Sequence, residues 1–292
     1  MDLIAGPIPG YELLDSGEAR KLERIAGALV IRPSPAALWR PRLDARAWSE
    51  APSECIRNAD GSGQWQHRRG DPGELRFAWQ GPGGGARALT LLVRFTAFGH
   101  CGLFFEQEPV WRMLAERIAA LRAAGKPAKG LNLFGYTGAA SLAMAAAGGE
   151  VYHVDSARGV LTWGKESAAA SGVDGVKWVQ EDARAFLALS RRKGFRYDCI
   201  LADPPSWGHG ADKQVWKIEE HLQGLVDDCV AVLADGGLLV LCAHSPGVQH
   251  AALANALGAA GLPAREGGDL GVRHRDDPRV LPAGCWAAAD RR

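Results

Sequence analysis

The chain has 292 residues, of which 47% are hydrophobic and 23% charged, as is ordinary for a globular protein. Its formal net charge of +1 supplies no global field that would attract polyanions or acidic membranes. Six cysteines without a CxxC pair are typical of a reducing compartment and argue against a zinc site or a disulfide framework. No apolar run could span a bilayer and the N-terminus lacks a signal pattern. We therefore expect a cytoplasmic protein with no metal and no membrane partner.

Residues 1 to about 105 are rich in Trp, Gly, Pro and Arg, with short apolar runs between turn signals. Three runs predict strands at Ala28–Ile31, Leu75–Trp79 and Leu89–Phe95. The loop Gly81–Gly85 separates the last two, which favours a hairpin. The sequence thus predicts a small β-rich domain over residues 1–105.

Helical spacing begins near residue 107, and Val110–Ala124 predicts a helix that stops at Gly125. Strand and helix patterns then alternate. The predicted strands are Gly130–Phe134, Glu150–Asp155, Val176–Gln180, Tyr197–Asp203 and Leu238–His244, with a last one near Cys285–Ala289. The predicted helices are Ala139–Ala147, Ala157–Ser171, Ala183–Arg191, Trp216–Leu233 and Val248–Ala260. This alternation indicates an α/β domain over residues 106–292, with a parallel sheet covered by helices.

The most informative segment is Leu131–Gly138, where an apolar run ends in two glycines three residues apart. Gly135 and Gly138 can adopt backbone angles closed to other residues, and they let a ligand approach the main chain. In an open α/β sheet, ligands bind at the carboxyl ends of the strands. The turn therefore predicts a cofactor site.

Two acids follow the next two predicted strands. Asp155 lies about twenty residues after the turn, where the doubly wound fold places an acid on ribose hydroxyls; the alternative is a cap on the following helix. Asp182 could accept a hydrogen bond from an adenine amine, or it could cap the helix that begins at Ala183. Position favours the ligand role for Asp155 and decides nothing for Asp182.

The fourth predicted strand ends at Asp203-Pro204-Pro205-Ser206-Trp207. A Pro-Pro pair ends a strand because neither residue can donate to the ladder, and it leaves carbonyls free to face a cleft. An acid, rigid carbonyls and Trp207 together predict a platform for a flat base. The alternative is a turn with a buried Trp.

The first turn also bears on the cofactor. NAD-binding turns follow GxGxxG and hold a pyrophosphate at the helix N-terminus, whereas this turn has one glycine fewer and carries Tyr136. No Walker lysine follows it. The spacing moderately favours S-adenosylmethionine over NAD.

These motifs resemble those of class I S-adenosylmethionine methyltransferases. The segments that carry this resemblance are Asn132–Gly138, Val154–Ser156, Glu181–Ala183 and Asp203–Pro205. Within that class, the chain is similar to the bacterial 23S rRNA cytosine-C5 methyltransferase group and its uncharacterised relatives, which also carry a stretch like Gly99–Gln107. The resemblance covers about residues 95 to 290. It implies a Rossmann-like, seven-stranded sheet whose last strand is antiparallel.

The resemblance also implies roles for individual residues. Phe134, Gly135, Tyr136, Thr137 and Gly138 would wrap the methionine part of the cofactor. Asp155, with Ser156 beside it, would hold the ribose, and Asp182 and Ala183 would flank the adenine. Gln107 and Phe105 would close over the cofactor. Asp203 and Pro204 would face the acceptor.

The chain departs from that group at two places. Cytosine-C5 members use a cysteine as nucleophile where alignment from Gly236-Gly237 places His244 here. Cys242 lies two residues earlier, where we expect a core residue. The known members also carry a PUA RNA-binding domain, and residues 1–95 show no such pattern.

We therefore expect a methyltransferase in which Asp203 and Pro204 position a planar acceptor and Trp207 stacks on it. His244, if neutral, could accept the released proton. The predicted substrate is an RNA base, with 23S rRNA as the suspected partner, and methylation would be directed to a nitrogen or would use Cys242 in a shifted geometry. The alternatives are a methyltransferase for a small molecule or protein, a non-catalytic scaffold that keeps the cofactor fold, and an NAD-dependent enzyme. The oligomeric state is left open.

Overall fold

The computed structural model describes residues 1–58, 62–82, 88–209 and 215–291, and in these ranges a large mixed sheet and a smaller β-sheet share the fold. The first part contains β1 (Leu3–Ala5), β2 (Tyr11–Gly17), β3 (Arg20–Ile25), β4 (Ala28–Pro33), α1 (Ala45–Ser49), β5 (Ser53–Arg57), β6 (Gly63–His67), β7 (Leu75–Trp79) and β8 (Leu89–Val93). The second part contains α2 (Glu108–Ala123), β9 (Lys129–Leu133), α3 (Ala139–Ala146), β10 (Glu150–Asp155), α4 (Arg158–Ser171), β11 (Val176–Gln180), α5 (Ala183–Arg192), β12 (Tyr197–Ala202), β13 (Trp207–His209), β14 (Val215–Lys217), α6 (Ile218–Val232), β15 (Leu233–Ala243), α7 (His250–Ala259), β16 (Glu266–Arg273) and β17 (Val280–Asp290).

The large sheet has the strand order β1-β16-β17-β15-β12-β9-β10-β11. Strand β17 runs antiparallel to both of its neighbours, and the other pairings are parallel. The expected α/β architecture with an antiparallel last strand is confirmed. An eighth strand, β1, adds to the edge beyond the seven that the resemblance implies.

Two details of the fold differ from the sequence-based expectation. Strand β16 is not among the predicted strands, because Gly267, Gly268 and Gly271 give it a weak strand signal. Trp216 does not begin a helix as predicted, but lies in β14, where it pairs with Gly208. Helix α6 therefore begins at Ile218.

The earlier residues form a five-stranded sheet in the order β2-β3-β4-β5-β6 and a separate β7-β8 hairpin. The predicted β-rich part is thus present, and the predicted hairpin is confirmed, although residues 83–87 of its loop lie outside the described ranges. On its other side, the β8 backbone bonds to α4: the N–H of Leu92 donates to Oγ of Ser167 at 3.1 Å, and its carbonyl accepts from Nε1 of Trp163 at 3.0 Å. The boundary at residues 105 and 106 stays a prediction.

Helices cover both faces of the large sheet, and its central strands supply the core. Leu131, Ile200 and Leu239, on neighbouring strands, are fully buried. Among the described helices, none combines the length and the hydropathy needed to cross a membrane.

Candidate functional site

A cavity of about 650 Å³ opens at the carboxyl ends of β9, β10 and β12. Eleven of the site residues predicted from sequence line it: Gln107, Phe134, Gly135, Tyr136, Thr137, Gly138, Asp155, Ser156, Asp203, Pro204 and His244. The predicted residues that do not line it are Phe105, Asp182, Ala183 and Trp207. The fold thus brings the ends of three strands and the segment before α2 to one place, as expected for this kind of sheet.

The turn between β9 and α3 is held by main-chain hydrogen bonds and by unusual backbone angles. Phe134, Tyr136 and Gly138 have φ values of 56°, 52° and 86°. Gly135 does not have a positive φ, so the expectation that it serves for its backbone angles is wrong. A Cβ on Gly135 would instead lie 2.6 Å from Nδ1 of His153. This glycine makes room for a buried ring below the turn, and the residue also lines the cavity. The approach of a ligand to its main chain stays a prediction.

Asp155 joins the cofactor turn to the start of α4 through two backbone contacts. Its Oδ2 accepts a hydrogen bond from the Tyr136 N–H and its Oδ1 accepts one from the Ala157 N–H, each at 2.9 Å. Burial raises the pKa of this carboxyl, and the two backbone N–H groups oppose that shift. Carboxylate oxygens can accept further hydrogen bonds, so a vicinal diol fits here. The contact with a ribose stays a prediction.

Gln107, Asp203 and His244 form a polar cluster on the opposite wall. Nε2 of Gln107 lies 2.5 Å from Oδ2 of Asp203 and 3.0 Å from Nε2 of His244. Nε2 of His244 is 3.4 Å from the same carboxylate oxygen. Nδ1 of His244 lies 2.6 Å from the carbonyl oxygen of Ala283, which requires a proton on Nδ1. Three elements of the chain thus meet at one oxygen of Asp203.

The surroundings of His244 act on its protonation in opposite directions. Burial alone would lower the pKa of His244, but Asp203, Glu106 and the Ala283 carbonyl raise it to about 10, which favours an imidazolium whose Nε2 proton faces Asp203. The amide nitrogen of Gln107 is only a donor, and its 3.0 Å contact with the same Nε2 is a hydrogen bond only when Nε2 carries no proton. The neutral His244 that accepts a proton therefore stays a prediction.

The second oxygen of Asp203 has no hydrogen-bond partner among the described residues, although it is buried. A buried acceptor without a donor is costly, so this oxygen is suited to a donor supplied by a ligand. The neighbouring Pro205 carbonyl accepts from Nε1 of Trp216 at 2.6 Å, so it is not the free carbonyl expected from the sequence.

Two predicted residues lie elsewhere. Trp207 stands on β13, is 56% exposed and does not line the cavity, so the platform expected from it is not formed in this structure. Phe105 is buried, and its ring stacks on Tyr11 of the small sheet at 3.7 Å between centroids. Phe105 is a core residue, and its neighbour Phe104 lines the cavity instead.

Asp182 caps helix α5. Its Oδ1 accepts hydrogen bonds from the backbone N–H groups of Arg184 and Ala185 at 2.9 and 3.1 Å, which is the helix-capping alternative. Ala183 is the first, buried residue of that helix. Their contact with an adenine stays a prediction.

Cys242 is fully buried and packs in the hydrophobic core. Burial raises the pKa of its thiol well above the ordinary value, and Asp203 raises it further. The thiol is therefore protonated, and Cys242 does not line the cavity, as expected for a core residue.

The cavity residues missed from sequence include Arg57, His100 and Phe104. His100 and Phe104 belong to the stretch Gly99–Gln107 that carries the family resemblance, so that stretch was a signal for placing them at the site. Arg57 lies at the end of β5, and nothing in its local sequence connects it to the strands of the large sheet.

Comparisons with known proteins bear on the family and the fold. A family model described as S-adenosylmethionine-dependent methyltransferase matches residues 88–271. The crystal structure of the SAM-dependent methyltransferase from Agrobacterium tumefaciens is 33% identical, with a TM-score of 0.90, and the match covers 100% of this chain and 94% of that one. A methyltransferase solved in complex with SAH shares the fold at 17% identity and a TM-score of 0.72, covering 96% of this chain and 75% of that one.

Two curated relatives are named Ribosomal RNA large subunit methyltransferase K/L. The protein of Pseudomonas syringae pv. syringae is 33% identical over 154 residues, or 52% of this chain and 19% of that protein. The protein of Dichelobacter nodosus is 30% identical over 170 residues, or 57% of this chain and 21% of that protein. The match therefore spans about a fifth of the length of these relatives.

Proposed function

We propose that this chain, which belongs to the S-adenosylmethionine-dependent methyltransferase family, transfers the methyl group to a nitrogen atom of a base in ribosomal RNA. The RNA substrate is supported by the names of the relatives that match over half of the chain. The choice of a nitrogen atom is supported by the unpartnered, buried Oδ1 of Asp203.

The residues of the cavity fit the cofactor. S-adenosylmethionine supplies an electrophilic methyl group on a sulfonium. In our proposal, the lone pairs of Asp155 that remain free accept hydrogen bonds from ribose hydroxyls. The turn Phe134–Gly138 lies against the amino-acid part, and Gln107 closes the opposite side. Asp155 and the turn are already joined by the Tyr136 hydrogen bond, so little ordering is needed on binding.

A nitrogen acceptor requires little from the protein beyond alignment, whereas a pyrimidine carbon requires a thiolate to add to the ring. None of the described residues that line the cavity is a cysteine, and the Cys242 thiol is buried and protonated. An amino or ring N–H can instead donate to Oδ1 of Asp203, which aims the nitrogen lone pair. Asp203 then holds the proton that the nitrogen loses.

The polar cluster keeps Asp203 in place for this task. The ring of His244 and the amide of Gln107 both face Oδ2, so the carboxylate cannot rotate freely. In this role His244 is a positioning residue, and Asp203 is the residue that touches the acceptor.

The proposal is tested by transfer of tritiated methyl groups to protein-free 23S rRNA from a strain that lacks the gene. RNA from the parent strain is the control, since its site is already methylated. We expect incorporation into the first RNA only, and nuclease digestion with mass spectrometry should give an N-methylated base. Equal incorporation into both RNAs, or a C5-methylated pyrimidine, would contradict the proposal.

Asp203→Asn separates chemistry from cofactor binding. Because the amide cannot take the proton, we expect kcat to fall by a factor on the order of 10² to 10⁴, while calorimetry shows a Kd for S-adenosylmethionine within about tenfold of the wild-type value. Asp174→Asn makes the same change at an exposed position and should alter neither quantity. If Asp203→Asn abolishes cofactor binding instead, Asp203 belongs to the cofactor site.

A further inference from the structure

A second cavity, of about 590 Å³, adjoins the first. Five residues line both cavities: Arg57, His100, Leu103, Phe104 and His244. The second cavity lies between the small sheet, which contributes Lys21 and Arg32, and the ends of β15 and β17. A ligand in it would therefore contact both parts of the chain and would reach the cofactor cavity beside His244.

The charges around the second cavity differ in how they are compensated. Arg32 donates to Glu23 through Nε and Nη2 at 2.7 and 3.0 Å, and Nζ of Lys21 lies 3.1 Å from Glu23. Arg57 is exposed, and no carboxylate of the described ranges lies within ion-pair distance of it. It is thus the cation at the junction that is best placed for an external anion.

Aromatic rings lie beside this cation. Phe104 stacks on His244 at 5.9 Å between centroids and contacts Tyr136 at 5.3 Å and His100 at 5.4 Å. Phe98, at the rim, is 71% exposed. Cations and exposed aromatic rings in one groove are typical of sites for single-stranded nucleic acids, where rings stack on bases and the cations bind phosphates.

Ser245 supplies an independent observation. Its side chain lines the second cavity and the residue is only 6% exposed, yet Oγ has no hydrogen-bond partner among the described residues. A buried hydroxyl without a partner is costly, and a polar ligand in the cavity would satisfy it.

We infer that the second cavity binds the acceptor nucleotide in an unstacked, single-stranded form, with Arg57 on a phosphate, Phe104 against the base and Ser245 hydrogen-bonded to a polar edge. The reactive nitrogen of that base would reach Asp203 across the junction of the two cavities. This inference rests on the proposed RNA methylation. An extruded base is also what methylation inside folded RNA requires, because enzymes that modify bases take them out of the stack.

Arg57→Gln tests the phosphate contact, with Arg76→Gln as the matched control, since Arg76 is an exposed arginine on β7 that lines neither cavity. Filter binding to protein-free 23S rRNA from the deletion strain gives the Kd at several salt concentrations. For Arg57→Gln we expect Kd to rise about fivefold and the slope of log Kd against log salt to fall by about 0.7. Its Kd for S-adenosylmethionine should stay at the wild-type value. Arg76→Gln should match the wild type in all three quantities.

Ser245→Ala tests the buried hydroxyl without a change of charge. We expect the KM for RNA to rise about two- to tenfold, with an unchanged Kd for S-adenosylmethionine and an unchanged circular dichroism spectrum. If the wild type methylates RNA while both variants bind and methylate it normally, the inference is wrong and the proposed function stands. The inference is also wrong if Arg57→Gln weakens cofactor binding alone. If the wild type methylates no RNA, the proposed function fails first and the inference with it.

Discussion

Gly135→Ala should destabilise the protein through a single clash below the cofactor turn. The new Cβ would lie 2.6 Å from Nδ1 and 3.0 Å from Nε2 of His153, well inside the ordinary contact distance of 3.4 Å. His153 cannot withdraw easily, because it is fully buried, packs on Trp178 at 4.5 Å between ring centroids and lies 2.9 Å from Oγ of Ser141 through Nδ1.

The cost has two parts. Overpacking of a filled core costs about 1–3 kcal/mol, and loss of the buried Ser141–His153 hydrogen bond costs about 1 kcal/mol more. Together they give about 2–4 kcal/mol, which corresponds to a decrease in Tm on the order of 5–15 °C for a chain of this size.

The assay is thermal and urea unfolding of four variants: Gly135→Ala, Gly159→Ala, His153→Ala and the double variant Gly135→Ala/His153→Ala. Gly159→Ala is the control, because Gly159 is exposed in α4 and a Cβ added there would have no neighbouring atom within 4 Å; it should leave stability unchanged or raise it by about 0.5–1 kcal/mol. In the background of His153→Ala the clash partner is gone, so Gly135→Ala should cost almost nothing there. A Tm for Gly135→Ala within about 1 °C of the control, or full additivity in this double-mutant cycle, would refute the reasoning.

Two further predictions concern the polar cluster and the buried thiol. Because the pKa of His244 is raised from 6.5 to about 10, its contribution to stability is complete below pH 6.5 and is lost as pH rises towards 10. The urea midpoint should therefore fall over this range more steeply in the wild type than in His244→Gln. Parallel curves for the two proteins would contradict the raised pKa of His244. Cys242→Ala should keep kcat within about threefold of the wild type, since a core thiol takes no part in chemistry. It should lower the free energy of unfolding by about 1 kcal/mol. Loss of methyl transfer in a folded variant would instead support a mechanism in which the Cys242 thiolate adds to a pyrimidine ring.

Much of the large sheet could be predicted because its strands are apolar and are bounded by glycine, proline and acidic residues. The turn at Gly135 and the acid-proline segment at Asp203 locate two strand ends, and parallel strands bring such ends to one edge. Strand β16 was not predicted because its glycines weaken the strand pattern. Strands β2 and β3 were not predicted because charged residues such as Glu23 interrupt their alternation of apolar and polar residues. Such residues are buried only when they are paired in the fold.

Site residues could be predicted where their position at the end of a strand places them in the site. They could not be predicted where their role depends on contacts with residues distant in sequence. Nothing local distinguishes Asp182 as a cap from Asp182 as a ligand, since both roles require the same position. The raised pKa of His244 depends on Asp203 and Glu106, which are distant in sequence. Arg57 reaches the cavity from the other sheet, so only the packing of the two parts reveals it.

Strand β1 pairs with β16 in parallel, with Leu3 opposite Leu270, and this pairing has a consequence for how the protein folds. The two strands are separated by almost the whole chain, so closing this edge costs more loop entropy than any neighbouring pair of strands in the sheet. During synthesis, β1 emerges long before its partner exists and must wait unpaired. The small sheet can pair its own strands in the meantime. The strand that is synthesised first is therefore among the last to pair in the large sheet.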